Sequence, residues 1–531
     1  MYQVYPRSFR DTTGNGVGDL RGIHDGLDHI ASLGVDAVWL SPFFTSPMAD
    51  YGYDVADYVD VDPIFGTLSD FDAIIEKAHR LGLKVIIDQV YSHTSDAHAW
   101  FKASRASRDG EMADWYVWED AKPDGSPPSN WQSVFGGPAW EWDARRKQYY
   151  LHNFLKEQPQ LNVHNRAVQD ALLGVTQFWL DRGVDGFRLD AINFAMHNRD
   201  LPDNPPSGLP MEKVTRPFDM QRHVHNQSQP EIPAFLERIR SVLDAHGACF
   251  TVAEVGGPSP LSEMKLFTEG EKRLNSAYSF DFLYAEQLTA AGVKASLSDW
   301  QGAPGEGWPS WAFSNHDAPR AVSRWAGSHD RDLVSRQLAL LLLSLRGNAF
   351  IYQGEELGLP QAHVPFEQLK DPEAIANWPH TLGRDGARTP FPWVAQSASA
   401  GFSASEDTWL PMDPAHGAMA LDRQNADAGS CLNVTRALVD IRKASAALRL
   451  GDLEFLDAPE PLLAFSRTHG NEQVLCVFNL GESDLSWSPE DAAGFELVAT
   501  QAGAKSGHVP HSLPARTGYW ARRSVTEQGH G

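Results

Sequence analysis

Val184–Asp190 reads VDGFRLD, a short, largely apolar run that closes on a carboxylate. Seven other runs of this kind stand along the chain. Ahead of it are Tyr2–Tyr5 (YQVY), Ala37–Leu40 (AVWL) and Lys84–Val90 (KVIIDQV). Behind it are Cys249–Val255 (CFTVAEV), Ser279–Leu283 (SFDFL), Trp311–His316 (WAFSNH) and Ala349–Gln353 (AFIYQ). A helical pattern precedes each run after the first. Leu27, Ile30 and Leu33 keep helical spacing before the second; Phe71, Ile74, Ile75 and Ala78 do so before the third. Apolar strands alternating with amphipathic helices read as parallel βα units. Eight in order predict an α/β fold built as a closed (β/α)₈ barrel, with a doubly wound sheet as the alternative. In such a barrel the active site lies at the C-terminal strand ends.

Two stretches depart from the pattern. Between the third and fourth runs the chain is rich in Trp, Gly, Pro and Asp (SPPSNWQSVFGGPAWEWDARRKQYYLHNF). A connection this long is functional or carries its own fold, so 92–165 is expected as a subdomain inserted over the barrel mouth. From Gly451 onward short alternating segments follow: LEFL, LLAFSR, QVLCVFNL and FELVAT. They predict a C-terminal antiparallel β-sandwich over 451–531, leaving 1–91 and 166–450 for the barrel.

At 531 residues the chain exceeds what one core of about 250–300 residues sustains. Its net charge is −24. So acidic a surface disfavours nucleic acid and anionic membranes and suits a neutral solute. Cys249, Cys431 and Cys476 are scattered, with no CxxC, which fits a reducing compartment. The start, MYQVYPRSFRDTTGNG, lacks the basic and apolar regions of a secretory signal. A cytoplasmic protein, monomeric or a small homo-oligomer, is expected.

Acidic residues stand at or just past several strand ends: Asp88, Asp190, Glu254 and Asp317, with His93, Arg188 and His316 beside them. Crowding carboxylates at one mouth raises some pKa values and costs stability, so it points to use. Carboxylates without a metal-binding His cluster suit glycoside hydrolysis. One attacks the anomeric carbon and another protonates the leaving oxygen, about 5–5.5 Å apart in retaining enzymes. Arg188 lies two residues before Asp190, on the same strand face. There its guanidinium keeps a nucleophile ionised.

With these residues in view the sequence resembles the α-amylase family of glycoside hydrolases, and within it the α-glucosidase and oligo-1,6-glucosidase group. The resemblance covers nearly the whole chain. It rests on DQVYSH (Asp88–His93), GFRLD (Gly186–Asp190), AEV (Ala253–Val255) and SNHDAPR (Ser314–Arg320). QPQLN (Gln158–Asn162), YQGEELG (Tyr352–Gly358) and GRDGARTP (Gly383–Pro390) support it. It implies Asp190 as nucleophile, Glu254 as acid/base, and Asp317, His93 and His316 as partners of the sugar hydroxyls. It likewise implies that Asp50 and Arg384 close the non-reducing end of a glucose pocket and that Tyr53 stacks on the ring. Phe135 and Phe154 line the entrance or the inserted subdomain's core. In this group the residue after the nucleophile tracks linkage. Ala191, rather than Val, leans towards α-1,4 bonds.

The resemblance thus implies a retaining, exo-acting α-glucosidase on maltose-type substrates, with glucosyl transfer as a side activity. The alternatives are an oligo-1,6-glucosidase, a sucrose isomerase or transglucosylase, and a non-enzymatic transporter-associated relative. No cofactor is expected for the chemistry. DTTGNGVGD (Asp11–Asp19) sets Asp11, Thr13, Asn15, the Val17 carbonyl and Asp19 at alternate positions, resembling a structural Ca²⁺ or Mg²⁺ loop.

Overall fold

The computed structural model describes residues 1–247, 249–300, 305–381, 383–489 and 493–525. Eight parallel strands close a barrel: β1 (Tyr2–Val4), β2 (Ala37–Leu40), β3 (Lys84–Val90), β4 (Gly186–Asp190), β5 (Phe250–Val255), β6 (Ser276–Ser279), β7 (Trp308–Ala312) and β8 (Asn348–Tyr352). They pair in chain order, and β8 pairs with β1. The register sets Asp88 of β3 beside Arg188 of β4, and Val252 of β5 beside Arg188 on the other side.

The helices form where the spacing places them. In α1 (Leu20–Ser32) the Asp19 carboxylate accepts from the Gly22 N–H, satisfying an end donor, and Leu27 and Ile30 face the core. In α2 (Leu68–Arg80) Thr67 and Asp70 form a reciprocal capping box, and Phe71, Ile74, Ile75 and Ala78 are the buried face.

Two strands are displaced from the sequence reading by three or four residues, the others by two at most. The sixth is Ser276–Ser279 rather than Ser279–Leu283, and the seventh is Trp308–Ala312 rather than Trp311–His316. In the sixth, Ser276, Ala277, Tyr278 and Ser279 lie in the ladder beside β5, while Phe282 and Leu283 are buried beyond its end. In the seventh, the ladder ends at Ala312, so Ser314–His316 lie past it. That shift puts His316 in a loop at the mouth instead of in the barrel wall.

Between β3 and α3 (Arg166–Asp181) the chain forms a helix, Ala99–Ala106, and a three-stranded antiparallel sheet from Trp118–Glu119, Trp140–Asp143 and Gln148–Leu151. This part has a small core of its own around Trp131, Trp140 and Leu151. The Leu161 N–H donates to the Ser92 carbonyl, tying it to the end of β3.

The C-terminal part is a six-stranded antiparallel sheet with a two-stranded ribbon, Leu485–Ser486 with Ser512–Leu513. Along the central strands both sheet faces are buried. Phe465, Cys476 and Trp520 join the main core, and Ala464, Val477 and Tyr519 form a separate cluster with Leu513 of the ribbon. Residues 490–492 and 526–531 of the expected sandwich lie outside the described residues. Among the described residues no helix is long and apolar enough to cross a membrane.

Candidate active site

Strand alternation sets the centre. Arg188 and Asp190, two apart on β4, point the same way, and the guanidinium of Arg188 gathers the carboxylates around it. Its Nη1 donates to Asp88 Oδ1 at 2.6 Å and to Asp190 Oδ1 at 2.5 Å. Its Nη2 is ion-paired with Glu254 Oε1. Nε and Nη2 also donate to the Tyr278 hydroxyl, at 3.1 and 2.9 Å, and that hydroxyl donates to Glu254 Oε1 at 3.0 Å. The Trp39 ring lies 5.1 Å from the guanidinium carbon, while its indole N–H donates to Asp88 Oδ2 at 2.8 Å. Three carboxylates thus share one cation with no exposed surface.

The electrostatics follow from that crowding. Burial, opposed by Arg188, pushes Asp190 and Glu254 each up to about 7. Asp88 rises to about 6 for the same reason. Asp317 goes the other way. Burial would raise it, but His316, Arg388 and Arg384 outweigh burial and hold it well below the usual carboxylate range. Arg388 Nη2 donates to Asp317 Oδ1 at 2.7 Å.

His316 lies beneath Asp317 with its ring stacked on Tyr53, centroids 5.4 Å apart and planes 6° apart. Gln3 Nε2 is 2.7 Å from His316 Nδ1, and since an amide N–H only donates, the imidazole proton is assigned to Nε2. That Nε2 is 2.5 Å from the Tyr53 hydroxyl and 3.3 Å from Asp317 Oδ2. Burial lowers both His316 and His93 to about 3, so each is a neutral donor. His93 Nε2 meets the Tyr53 carbonyl at 3.2 Å, and Phe154 packs on its ring at 5.0 Å.

At the far end Arg384 Nη2 donates to Asp50 Oδ1 at 2.8 Å, and Gln158 Nε2 donates to Asp50 Oδ2 at 3.1 Å. The Phe135 ring lies 4.8 Å from the Arg384 guanidinium and 5.8 Å from the Phe154 ring. Asp50, Tyr53, His93, Phe135, Phe154, Asp190, Glu254, Asp317 and Arg384 line one cavity of about 290 Å³. Arg188 and His316 stand behind its wall. The lining also holds residues that the sequence reading did not single out: Phe194, Phe218, Phe280, Tyr284, and Arg216 ion-paired with Glu373. Arg216 and Glu373 are 157 residues apart, so no local pattern signals their contact.

The Asp11–Asp19 loop stands apart from this cavity. Asp11 accepts from the N–H groups of Thr13, Gly14 and Gly16, each at 2.8 Å, and from the Ser403 hydroxyl at 2.6 Å. Asn15 Oδ1 accepts from the Val17 N–H. Asp19 accepts from Thr12 and Gly22. The donor set is all hard oxygen, the kind Ca²⁺ or Mg²⁺ takes. A cation bound here would have to displace the N–H and O–H partners that the carboxylates hold.

Comparison with known proteins fits the geometry. The family described as Alpha amylase, catalytic domain matches residues 3–451. The chain belongs to the alpha-amylase family of glycoside hydrolases. Among family members, a protein named probable alpha-glucosidase from Rhizobium meliloti (strain 1021) is 50% identical, over 98% of this chain and 96% of its own. An oligo-1,6-glucosidase from Parageobacillus thermoglucosidasius is 36% identical, over 91% of this chain and 90% of its own. A solved alpha-glucosyl transfer enzyme superposes with a TM-score of 0.93 at 48% identity, covering 98% of each chain.

Proposed function

We propose that the protein is a retaining, exo-acting α-glucosidase that releases α-glucose from the non-reducing end of short α-1,4-glucosides, maltose among them. The observation that carries this reading is one cavity holding Asp190, Glu254 and Asp317, closed at one end by the Asp50–Arg384 pair. A pocket shut beyond the glucose ring excludes chains that extend past it, which makes the cut an exo cut.

The residues divide the chemistry as follows. Asp190 attacks the anomeric carbon, aided by Arg188, which stabilises its ionised form. Glu254 gives its proton to the leaving oxygen, so the glycosidic bond breaks as the glycosyl–Asp190 ester forms. Glu254, now a carboxylate, takes a proton from water as the water oxygen attacks the same carbon. Two inversions give retention, and Asp190 leaves as carboxylate. Asp317, held ionised by Arg388 and Arg384, receives the sugar hydroxyls beside that carbon and favours its developing positive charge. Any alcohol in place of water yields a new glucoside, so transfer accompanies hydrolysis. The likeness to an alpha-glucosyl transfer enzyme favours a second reading in which transfer dominates.

The test is a product assay on maltose, isomaltose, sucrose and trehalose, separately, with glucose and new disaccharides followed by chromatography. Glucose from maltose, with little from isomaltose, supports the reading. Isomaltose preferred overturns the linkage alone, and a dominant new disaccharide moves the protein to the transferases or isomerases.

A structural Ca²⁺ or Mg²⁺ belongs to the same proposal, held by Asp11, Thr13, Asn15, Asp19 and the Val17 carbonyl and supplying no chemistry. Elemental analysis of the purified protein should find it, and chelation should lower the melting temperature. An ion-free protein with unchanged melting removes it. The scattered cysteines, free in the structure, support a cytoplasmic location.

A further inference from the structure

Arg384 is held from two sides. One is Asp50, already described. The other is Asp371, a fully buried carboxylate 13 positions earlier in the chain. Asp371 Oδ1 accepts from Arg384 Nε at 3.0 Å and from Nη2 at 2.7 Å, and Oδ2 accepts from the Arg384 backbone N–H at 2.7 Å. A forked pair on the guanidinium and a bond to the same residue's backbone fix Arg384 in both position and rotation. Arg384 outweighs burial and keeps the Asp371 carboxyl below the ordinary range, so Asp371 stays an acceptor.

Asp371 is itself braced. Asp385 Oδ2 accepts from the Asp371 N–H at 2.9 Å. Gly383 permits the close approach. It has φ +65°, and a Cβ there would lie 2.3 Å from the Ala374 Cβ and 3.0 Å from Asp371 Oδ2. Asp371 also caps the helix Pro372–Asn377, since its Oδ1 accepts from the Glu373 N–H at 3.1 Å. That helix carries Glu373, the partner of Arg216 on the cavity wall. Among the described residues, then, one carboxylate anchors both Arg384 and the segment bearing Glu373.

We propose that Asp371 is a positioning residue for sugar recognition: it aims Arg384 at Asp50 and so sets the closed end of the cavity, without touching the sugar itself. The proposal rests on the reading of the Asp50–Arg384 pair as the end of the glucose pocket. Such a role weakens substrate binding more than it slows the bond-breaking step, because Asp190 and Glu254 keep Arg188 and Asp317 keeps its hydrogen bond from Arg388.

The test compares Asp371→Asn, Arg384→Ala and the double variant on maltose, with melting temperature measured for each. Asp371→Asn keeps the volume but removes the charge and leaves one acceptor oxygen where the carboxylate uses two, so an amide N–H faces either the Arg384 guanidinium or its backbone N–H. Its KM is expected to rise about tenfold, with kcat within about threefold. If Asp371 acts through Arg384, the double variant has the KM of Arg384→Ala alone, because the effects do not add for partners in one network. Gly383→Ala, whose Cβ crowds Ala374 and Asp371 Oδ2 while both carboxylates stay in the chain, is expected to raise KM in the same way. Calorimetric titration with D-glucose gives the same comparison without turnover. The wild-type assay tests the pocket reading, and the pattern among variants tests Asp371. A folded Asp371→Asn with KM within about twofold of wild type overturns the proposal. So do single effects that multiply in the double variant, or a fall in melting temperature alone.

Discussion

Glu254 and Asp190 stand within reach of one guanidinium, and burial lifts both carboxyls to about 7. The consequence for stability has a definite sign. A carboxyl raised from 4.5 to about 7 keeps, in the folded state, a proton that the unfolded chain loses between those values. Stability from this group is therefore lost as pH rises through that window. Glu254→Gln should melt higher than wild type at pH 8, and the difference should shrink towards pH 5. A variant that melts lower at both pH values would contradict the cost of burial. The same substitution should slow glycosylation by maltose far more than by p-nitrophenyl α-glucoside, whose leaving group needs little proton assistance. Equal loss on both would weaken the acid assignment. These residues were legible in the sequence because each stands at a strand end. Asp371 and Arg388 were not legible, because their partners lie across loops. Arg388 reaches Asp317 over 71 positions.

The turn after β4 carries the next prediction. Ala191 sits at φ 40°, ψ 39°, in the left-handed region that β-carbons disfavour, and its N–H donates to Glu254 Oε2 at 3.2 Å. Left-handed backbone costs a non-glycine residue about 1–2 kcal/mol. Ala191→Gly should raise the melting temperature by relieving that strain. Ala191→Val places a branched side chain on the cavity wall beside the nucleophile. It should shift the ratio of kcat/KM for isomaltose over maltose upwards by about 10-fold or more, the range a methyl or two controls in an apolar pocket. An unchanged ratio would detach linkage preference from this position. Most barrel strands were readable because parallel strands buried on both faces appear as unbroken apolar runs. Ser276–Ser279 escaped because it is Ser-Ala-Tyr-Ser. Its place is fixed by pairing with β5 and β7, which local pattern does not carry.

Across the whole molecule the barrel supplies the centre, and loops from distant parts of the chain close it. Asp50 follows β2, Phe135 and Phe154 come from the segment between β3 and α3, and Arg384 follows β8. The order of parts was legible as a change of pattern: βα units, a long interruption, then alternating strands. How the loops meet was not, since Asp50 and Arg384 are 334 positions apart. In the proposed function, that meeting closes the cavity behind one sugar ring. The central claim is double displacement at that pocket by Asp190 with Glu254. It is tested most directly by proton NMR of maltose hydrolysis, following the anomers in the first minutes before mutarotation. The account predicts that the glucose from the non-reducing end appears first as the α-anomer and then relaxes. Initial β-glucose would contradict it.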